Sequence, residues 1–255
     1  MQGSADSGRG PFRWDGTAAL ANRKSRRPPM PNPVFSRLPT SIFQHMTMLA
    51  LKHDAINLGQ GFPDQDGPLS LREAAARQLI EGPNQYPPSR GMLGLRQAVS
   101  AHARQFYGLE YDPEDEVVIT SGGTEAITGA LMAMAGVGDE VVMIEPTYDS
   151  YRPMAEGAGA TVKAVKLGPP DWRLTEAALR AVIGPRTRAI LINSPHNPAG
   201  RAFSREELDI LAKVVAETEA VVICDEVYEH LVFHGRPHIP LATLPGMRQR
   251  VLKIG

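Results

Sequence analysis

Four segments of the chain carry residues able to do chemistry, and each follows a run that reads as a β-strand. Asp225-Glu-Val-Tyr-Glu-His230 comes directly after Val221-Val-Ile-Cys224. A carboxylate at the mouth of a buried strand is costly unless paired, which suits Asp225 to a cation such as a protonated pyridine nitrogen. The opposite charge would raise that nitrogen's pKa and keep the ring an electron sink. Tyr228, a few positions on, is free to donate to a phenolate oxygen. The plainer use of Asp225 is capping a helix, and Cys224 reads as core packing. Asn193-Ser-Pro-His-Asn-Pro-Ala-Gly200 has two prolines and a glycine to shape a turn whose Asn197 amide can donate into a cleft. Asparagine is also a routine turn residue. His196 has no other histidine at ligand spacing, so it reads as turn or surface and no metal is expected.

The other two segments suit a phosphate and a flat ring. In Ser121-Gly-Gly-Thr-Glu-Ala126 the glycines let backbone approach a ligand, and a helix N-terminus offers unpaired N–H groups to an anion. A tight strand–helix turn uses glycine anyway, and the segment lacks both the lysine of a P-loop and the spacing of a dinucleotide fingerprint. In Glu145-Pro-Thr-Tyr-Asp-Ser-Tyr151 an aromatic side chain can pack on a ring, or Tyr148 and Tyr151 merely cover a helix start. All four segments sit at the C-terminal ends of strands, the edge where open α/β sheets bind ligands.

The elements that must hold these segments alternate. Helices are expected from a capping box at Ser70-Leu-Arg-Glu73 to Gly82, from about Leu95 to Tyr107 with a stop at Gly108, after the turn Ser121-Gly122-Gly123 through about Ala135, and from a second capping box at Ser204-Arg-Glu-Glu207 to about Glu219. Strands are expected at Glu116–Thr120, Glu140–Ile144, Ala160–Lys166, Arg188–Ile192, Val221–Cys224 and from Arg250. Nearly all-apolar strands alternating with helices predict a mostly parallel sheet covered on both faces.

Composition narrows the class. The chain has 255 residues, 42% hydrophobic and 22% charged, as an ordinary globular protein does. A net charge of −1 gives no electrostatic case for nucleic acid or an acidic membrane surface. No apolar run approaches the roughly 18 residues of a spanning helix. Cys224 is the only cysteine, which excludes an intramolecular disulfide and a multi-cysteine zinc cluster and makes the cytoplasm the default location. Residues 1–33 are rich in Gly, Ser, Arg and Pro without helical or strand period. They read as a disordered tail, as an extension upstream of a true start at Met30, or as a transit peptide.

Taken together, the segments resemble the class I aminotransferases of pyridoxal-phosphate (PLP) fold type I. Gly59-Gln-Gly-Phe-Pro-Asp64 and Asn84-Gln-Tyr86 match that family's N-terminal motifs as well. Pro195-His-Asn-Pro198, Tyr148-Asp-Ser-Tyr151 and Asp225–His230 look most like bacterial methionine aminotransferases, relatives of glutamine transaminase K and the kynurenine aminotransferases. The resemblance implies an α/β fold, the PLP fold type I large domain with its N-terminal segment over 34–255. Pyridoxal 5'-phosphate is the cofactor it implies. Gly123 and Thr124 would then contact the phosphate through backbone, Tyr148 stack on the ring, and Asp225 pair with its nitrogen. Asn197 and Tyr228 would bond the phenolic oxygen. Asn197 and Gly61 would lie at the substrate carboxylate, and Tyr86 would reach the phosphate of the other subunit in a homodimer.

In that family the lysine bound covalently to PLP lies a few residues past the strand that ends here at Gly255; Lys253 is too early and is not assigned. An arginine for the substrate carboxylate belongs to a C-terminal small domain that this sequence does not include. The chain is therefore expected to be a piece of a longer protein, inactive alone and binding PLP weakly at best. The activity implied is amino transfer between an α-amino acid (methionine, aromatic or glutamine-like) and a 2-oxo acid. A carbon–sulfur β-lyase on the same scaffold and a non-catalytic PLP-like binding domain are the rivals.

Overall fold

The computed structural model describes residues 31–61, 63 and 65–255. The arginine-rich stretch 1–30 lies outside the described residues, as do Phe62 and Asp64 of the Gly59–Asp64 motif. Five parallel strands form one sheet: β1 (Glu140–Glu145), β2 (Thr161–Lys166), β3 (Thr187–Asn193), β4 (Val221–Asp225) and β5 (Val251–Ile254), in the order β2-β1-β3-β4-β5. The order reverses between β1 and β3, a topological switch point of the kind that opens a crevice at the C-terminal strand ends.

Seven helices flank the sheet or precede it: α1 (Ile42–His53), α2 (Leu69–Glu81), α3 (Leu93–Tyr107), α4 (Gly122–Met134), α5 (Tyr151–Gly157), α6 (Glu176–Val182) and α7 (Arg205–Ala216). Strand side chains alternate between two apolar layers. Val142, Ile144, Ile190, Ile192, Val222 and Cys224 pack with Leu179 of α6 and Leu208, Leu211 and Val215 of α7. Val141, Met143, Ala189, Leu191 and Ile223 pack with Ile127 and Leu131 of α4 and Tyr151 and Ala155 of α5. Burying each large aliphatic is worth about 1.5–3 kcal/mol, so both faces of the sheet are committed to helices, as the strand composition predicts.

Helix ends show which local signals held. Ser204 and Glu207 form the expected reciprocal capping box at α7, though α7 ends at Ala216 rather than near Glu219. Gly108 closes α3 at φ +65°, a conformation only glycine adopts cheaply. The box expected at Ser70–Glu73 does not form: α2 starts at Leu69 after Pro68, which puts Ser70 inside the first turn. Pro68 takes the N-cap position without a side-chain bond, and a serine with helical backbone can no longer cap.

One expected strand is absent. Residues 117–120 have no ladder partner among the described residues, and the Ile119 amide bonds only the Arg90 carbonyl at 3.0 Å. Val117 is buried and Val118 is 60% exposed. Their alternation reports an extended segment buried on one side.

Candidate active site

The strand ends are level. Asn193 of β3 lies beside Asp225 of β4, and Asp225 beside Ile254 of β5. The loops leaving β1, β3 and β4 therefore emerge at one edge.

Asp225 is buried there with both oxygens engaged: Oδ1 accepts from the Val227 amide at 3.1 Å and Oδ2 from the Tyr151 hydroxyl at 2.5 Å. No helix follows it, since residues 227–230 form a turn. The helix-capping alternative gives way to a side chain that shapes its own turn and keeps one oxygen for a partner across the sheet edge. The Asp225 carbonyl accepts from Asn193 Nδ2 at 2.9 Å and the Ser194 amide at 3.0 Å. Asn193 Oδ1 takes the Asn197 amide at 2.7 Å, and Asn197 Nδ2 meets the Tyr228 hydroxyl at 3.5 Å, the outer limit of a hydrogen bond. The Tyr148 ring stands edge-on to Tyr151, centroids 5.7 Å apart.

Tyr148, Asn197, Asp225 and Tyr228 are thus joined in one chain of contacts. Its two connectors, Asn193 and Tyr151, had no specific role in the sequence reading, which took Tyr151 only as cover for a helix start. No local spacing signalled either one, since Tyr148 lies before α5 and each connecting bond crosses between elements. Burial, the Asp225 charge and the Asp225 hydrogen bond all push the Tyr151 phenol far above its ordinary pKa. It therefore stays protonated and donates.

At the neighbouring turn, Gly122 has φ +77°, which a side chain would strain. A Cβ at Gly123 would meet only Ile254 Cγ2, at an ordinary 3.7 Å, so packing within the chain leaves room at that position for a close backbone approach. Gly123 and Thr124 are exposed in the first turn of α4, where amides have no intrahelical acceptor. The Glu125 carboxylate reaches back to the Ser121 amide and satisfies one donor of this turn.

Other expected residues are not drawn in. Tyr86 is 98% exposed and Gly61 is exposed, and neither bonds the residues at the strand ends. His196, expected in a turn or on the surface, is 3% exposed, its ring against Phe203 at 5.7 Å. Burial lowers its pKa. The turn backbone is where expected, but the imidazole folds inward onto an aromatic neighbour. Lys253 is half-buried and paired with Glu229 at 2.8 Å and Glu226 at 3.5 Å.

The strand edge thus offers a carboxylate, an aromatic face, two donors to an oxygen and a helix N-terminus, a set that fits a flat, phosphorylated, cationic ring. Residues 53–251 match the aminotransferase class I and II family. The chain belongs to that family. An N-succinyldiaminopimelate aminotransferase (a probable assignment, DapC) of Mycobacterium tuberculosis is 48% identical over 217 residues, 84% of this chain and 55% of that one. Escherichia coli methionine aminotransferase is 37% identical over 230 residues, 90% of this chain and 60% of that one. The solved N-succinyldiaminopimelate aminotransferase of M. tuberculosis superposes with a TM-score of 0.84 at 45% identity, over 88% of this chain and 59% of its own. This chain spans a little over half the length of these class I and II aminotransferases. It has the fold type I large-domain architecture. The methionine and kynurenine aminotransferase resemblance stands among its relatives, and the succinyldiaminopimelate enzymes join it, a branch the motifs did not single out.

Proposed function

We propose that the protein transfers an amino group between an α-amino acid and a 2-oxo acid, using pyridoxal 5'-phosphate held at the C-terminal edge of the sheet. The observation that carries this reading is the contact chain from Tyr148 through Tyr151, Asp225 and Asn193 to Asn197 and Tyr228. The cofactor supplies an electron sink for the charge left when a substrate proton departs. Asp225 holds positive charge on the ring nitrogen, and Tyr151 fixes the carboxylate's orientation by donating to Oδ2. Asn197 and Tyr228 donate to the ring oxygen, and Asn197 and Gly61 orient the substrate carboxylate. Tyr148 covers one ring face, and the Gly123 and Thr124 amides receive the phosphate.

Methionine, aromatic and glutamine-like amino acids are the donors to test first, with N-succinyldiaminopimelate added because of the M. tuberculosis relative. We place residues 34–255 as the large domain with its N-terminal segment, working as a homodimer in the cytoplasm. In favour of a second copy, α1 and α2 bury no residue fully, and Ile56, Leu58, Ile80 and Tyr86 are 83–98% exposed. Apolar surface on that scale marks an interaction site, and Tyr86 would serve the partner's phosphate. Among the described residues no helix is long and apolar enough to cross a membrane.

The decisive substitution is Asp225→Ala. In the full-length form, amino transfer should fall by roughly 100-fold or more, the scale on which losing one electrostatic stabiliser acts, with the circular dichroism spectrum unchanged. Near-normal transfer in a folded variant would sink the assignment. Release of pyruvate and ammonia without any need for a 2-oxo acid would point instead to β-elimination.

A further inference from the structure

Away from the strand edge, α3 and the turn after β4 bring two histidines together that 128 residues of sequence separate. His102 Nε2 and His230 Nε2 lie 2.8 Å apart, and a Glu229 carboxylate oxygen lies within 4.8 Å of a ring nitrogen of each histidine. We propose that His102, His230 and Glu229 form a binding site for a divalent transition-metal ion of the zinc class. Two imidazoles and a carboxylate are a donor set that zinc takes with a fourth position left for water.

The geometry is close to what that ion needs. Two nitrogens bound tetrahedrally at about 2.1 Å stand about 3.4 Å apart, so the rings need part by only ~0.6 Å. Both rings are already oriented, because Phe106 packs against His102 at 4.6 Å and against His230 at 4.9 Å between centroids. His102 is half-buried and His230 exposed, which gives an ion and its water a way in.

A second polar cluster lies next to the site. Behind Glu229 lie Glu226, His238, Lys253 and the Tyr107 ring. His238 Nε2 is 3.0 Å from Glu226, whereas its buried Nδ1 has no partner. Glu226, Glu229 and His238 also lie within ligand distance of one another. There the Lys253 amine already fills the cation's place, 2.8 Å from Glu229 and 3.5 Å from Glu226. An ion on His102 and His230 would clip α3 to the turn that carries Tyr228.

The competing account is a histidine–histidine hydrogen bond within an aromatic stack, and calorimetry separates the two. Chelator-stripped chain titrated with Zn²⁺ should show one site of roughly micromolar affinity or tighter. His102→Ala and His230→Ala should each weaken it by about tenfold or more, while His45→Ala, at an exposed histidine, changes nothing. Absence of a site tighter than millimolar, or a loss in only one of the two variants, overturns the proposal. If either variant fails to fold, acylation of the unaltered chain by diethyl pyrocarbonate decides. Zn²⁺ should protect His102 and His230 and leave His45 reactive, and equal reactivity with and without the ion overturns the site.

Discussion

Asp225 accepts hydrogen bonds at both oxygens, and the two bonds do different work. The Val227 amide shapes the exit turn of β4, whereas the Tyr151 hydroxyl ties the carboxylate to α5. Removing only the hydroxyl, in Tyr151→Phe, leaves a buried oxygen without its donor. That should cost about 1–3 kcal/mol of stability without cofactor, read as a lower urea midpoint at unchanged slope; a midpoint matching the parent would show that Oδ2 does not depend on Tyr151. Asp225 itself was legible in the sequence because a charge after Val-Val-Ile-Cys is expensive to place without purpose. Its supports were not. Asn193 and Tyr151 act through partners 32 and 74 residues away, and no local pattern encodes a hydrogen bond across the sheet. Gly61 and Tyr86 came from motif resemblance alone, and among the described residues no hydrogen bond draws them to the strand ends.

The elements divide in the same way between local and distant causes. The N-terminus of α7 is held by more than its capping box: Glu207, 1% exposed, accepts from Arg201 Nη1 at 2.9 Å, the Leu174 amide at 2.8 Å and the Ser204 amide at 2.9 Å. Burial alone would raise the Glu207 carboxyl, but the Arg201 hydrogen bond and the two amides hold it below the usual 4.5. Glu207→Ala strands a partly buried guanidinium and two amides, so the cost should reach roughly 3–5 kcal/mol, measurable by chemical denaturation. A loss below about 1 kcal/mol would mean the carboxylate is only a surface cap. Ser204-x-x-Glu207 announced this helix because both halves of the signal lie within one turn. The same pattern at Ser70 failed because the helix already runs through it from Leu69, so its backbone is helical and its side chain cannot cap. The strand expected at 116–120 failed because pairing depends on a neighbour, which periodicity does not report. Helix α1 carried its signals openly, with Ser41 accepting from the Gln44 amide at 3.2 Å and Lys52 and His53 in the last turn. It was passed over because its apolar residues stay largely exposed and no core stripe stands out.

For the whole molecule, the buried ionisable groups set how stability should fall with acid. Burial lowers the His196 pKa from 6.5, so below that pH the unfolded chain gains a proton the folded chain resists. Its share of stability is complete above about pH 6.5 and declines as pH falls. For Glu229, burial raises the carboxyl, but the Lys253 hydrogen bond and charge outweigh it and leave the pKa below 4.5. Glu207 behaves alike, so both contribute fully above about pH 4.5 and are lost as pH drops further. Urea midpoints should fall in two stages, one setting in near pH 6.5 and a second below about 4.5. Replacing His196 with Phe should remove the upper stage and spare the lower; a single acid transition in the parent would refute this order.

Among the described residues strand β5 pairs with β4, and its Lys253 forms ion pairs with Glu229 and Glu226. One ammonium therefore fastens the last strand to the exit of β4, so the register of that strand and the placing of the segment carrying Tyr228 share a single anchor.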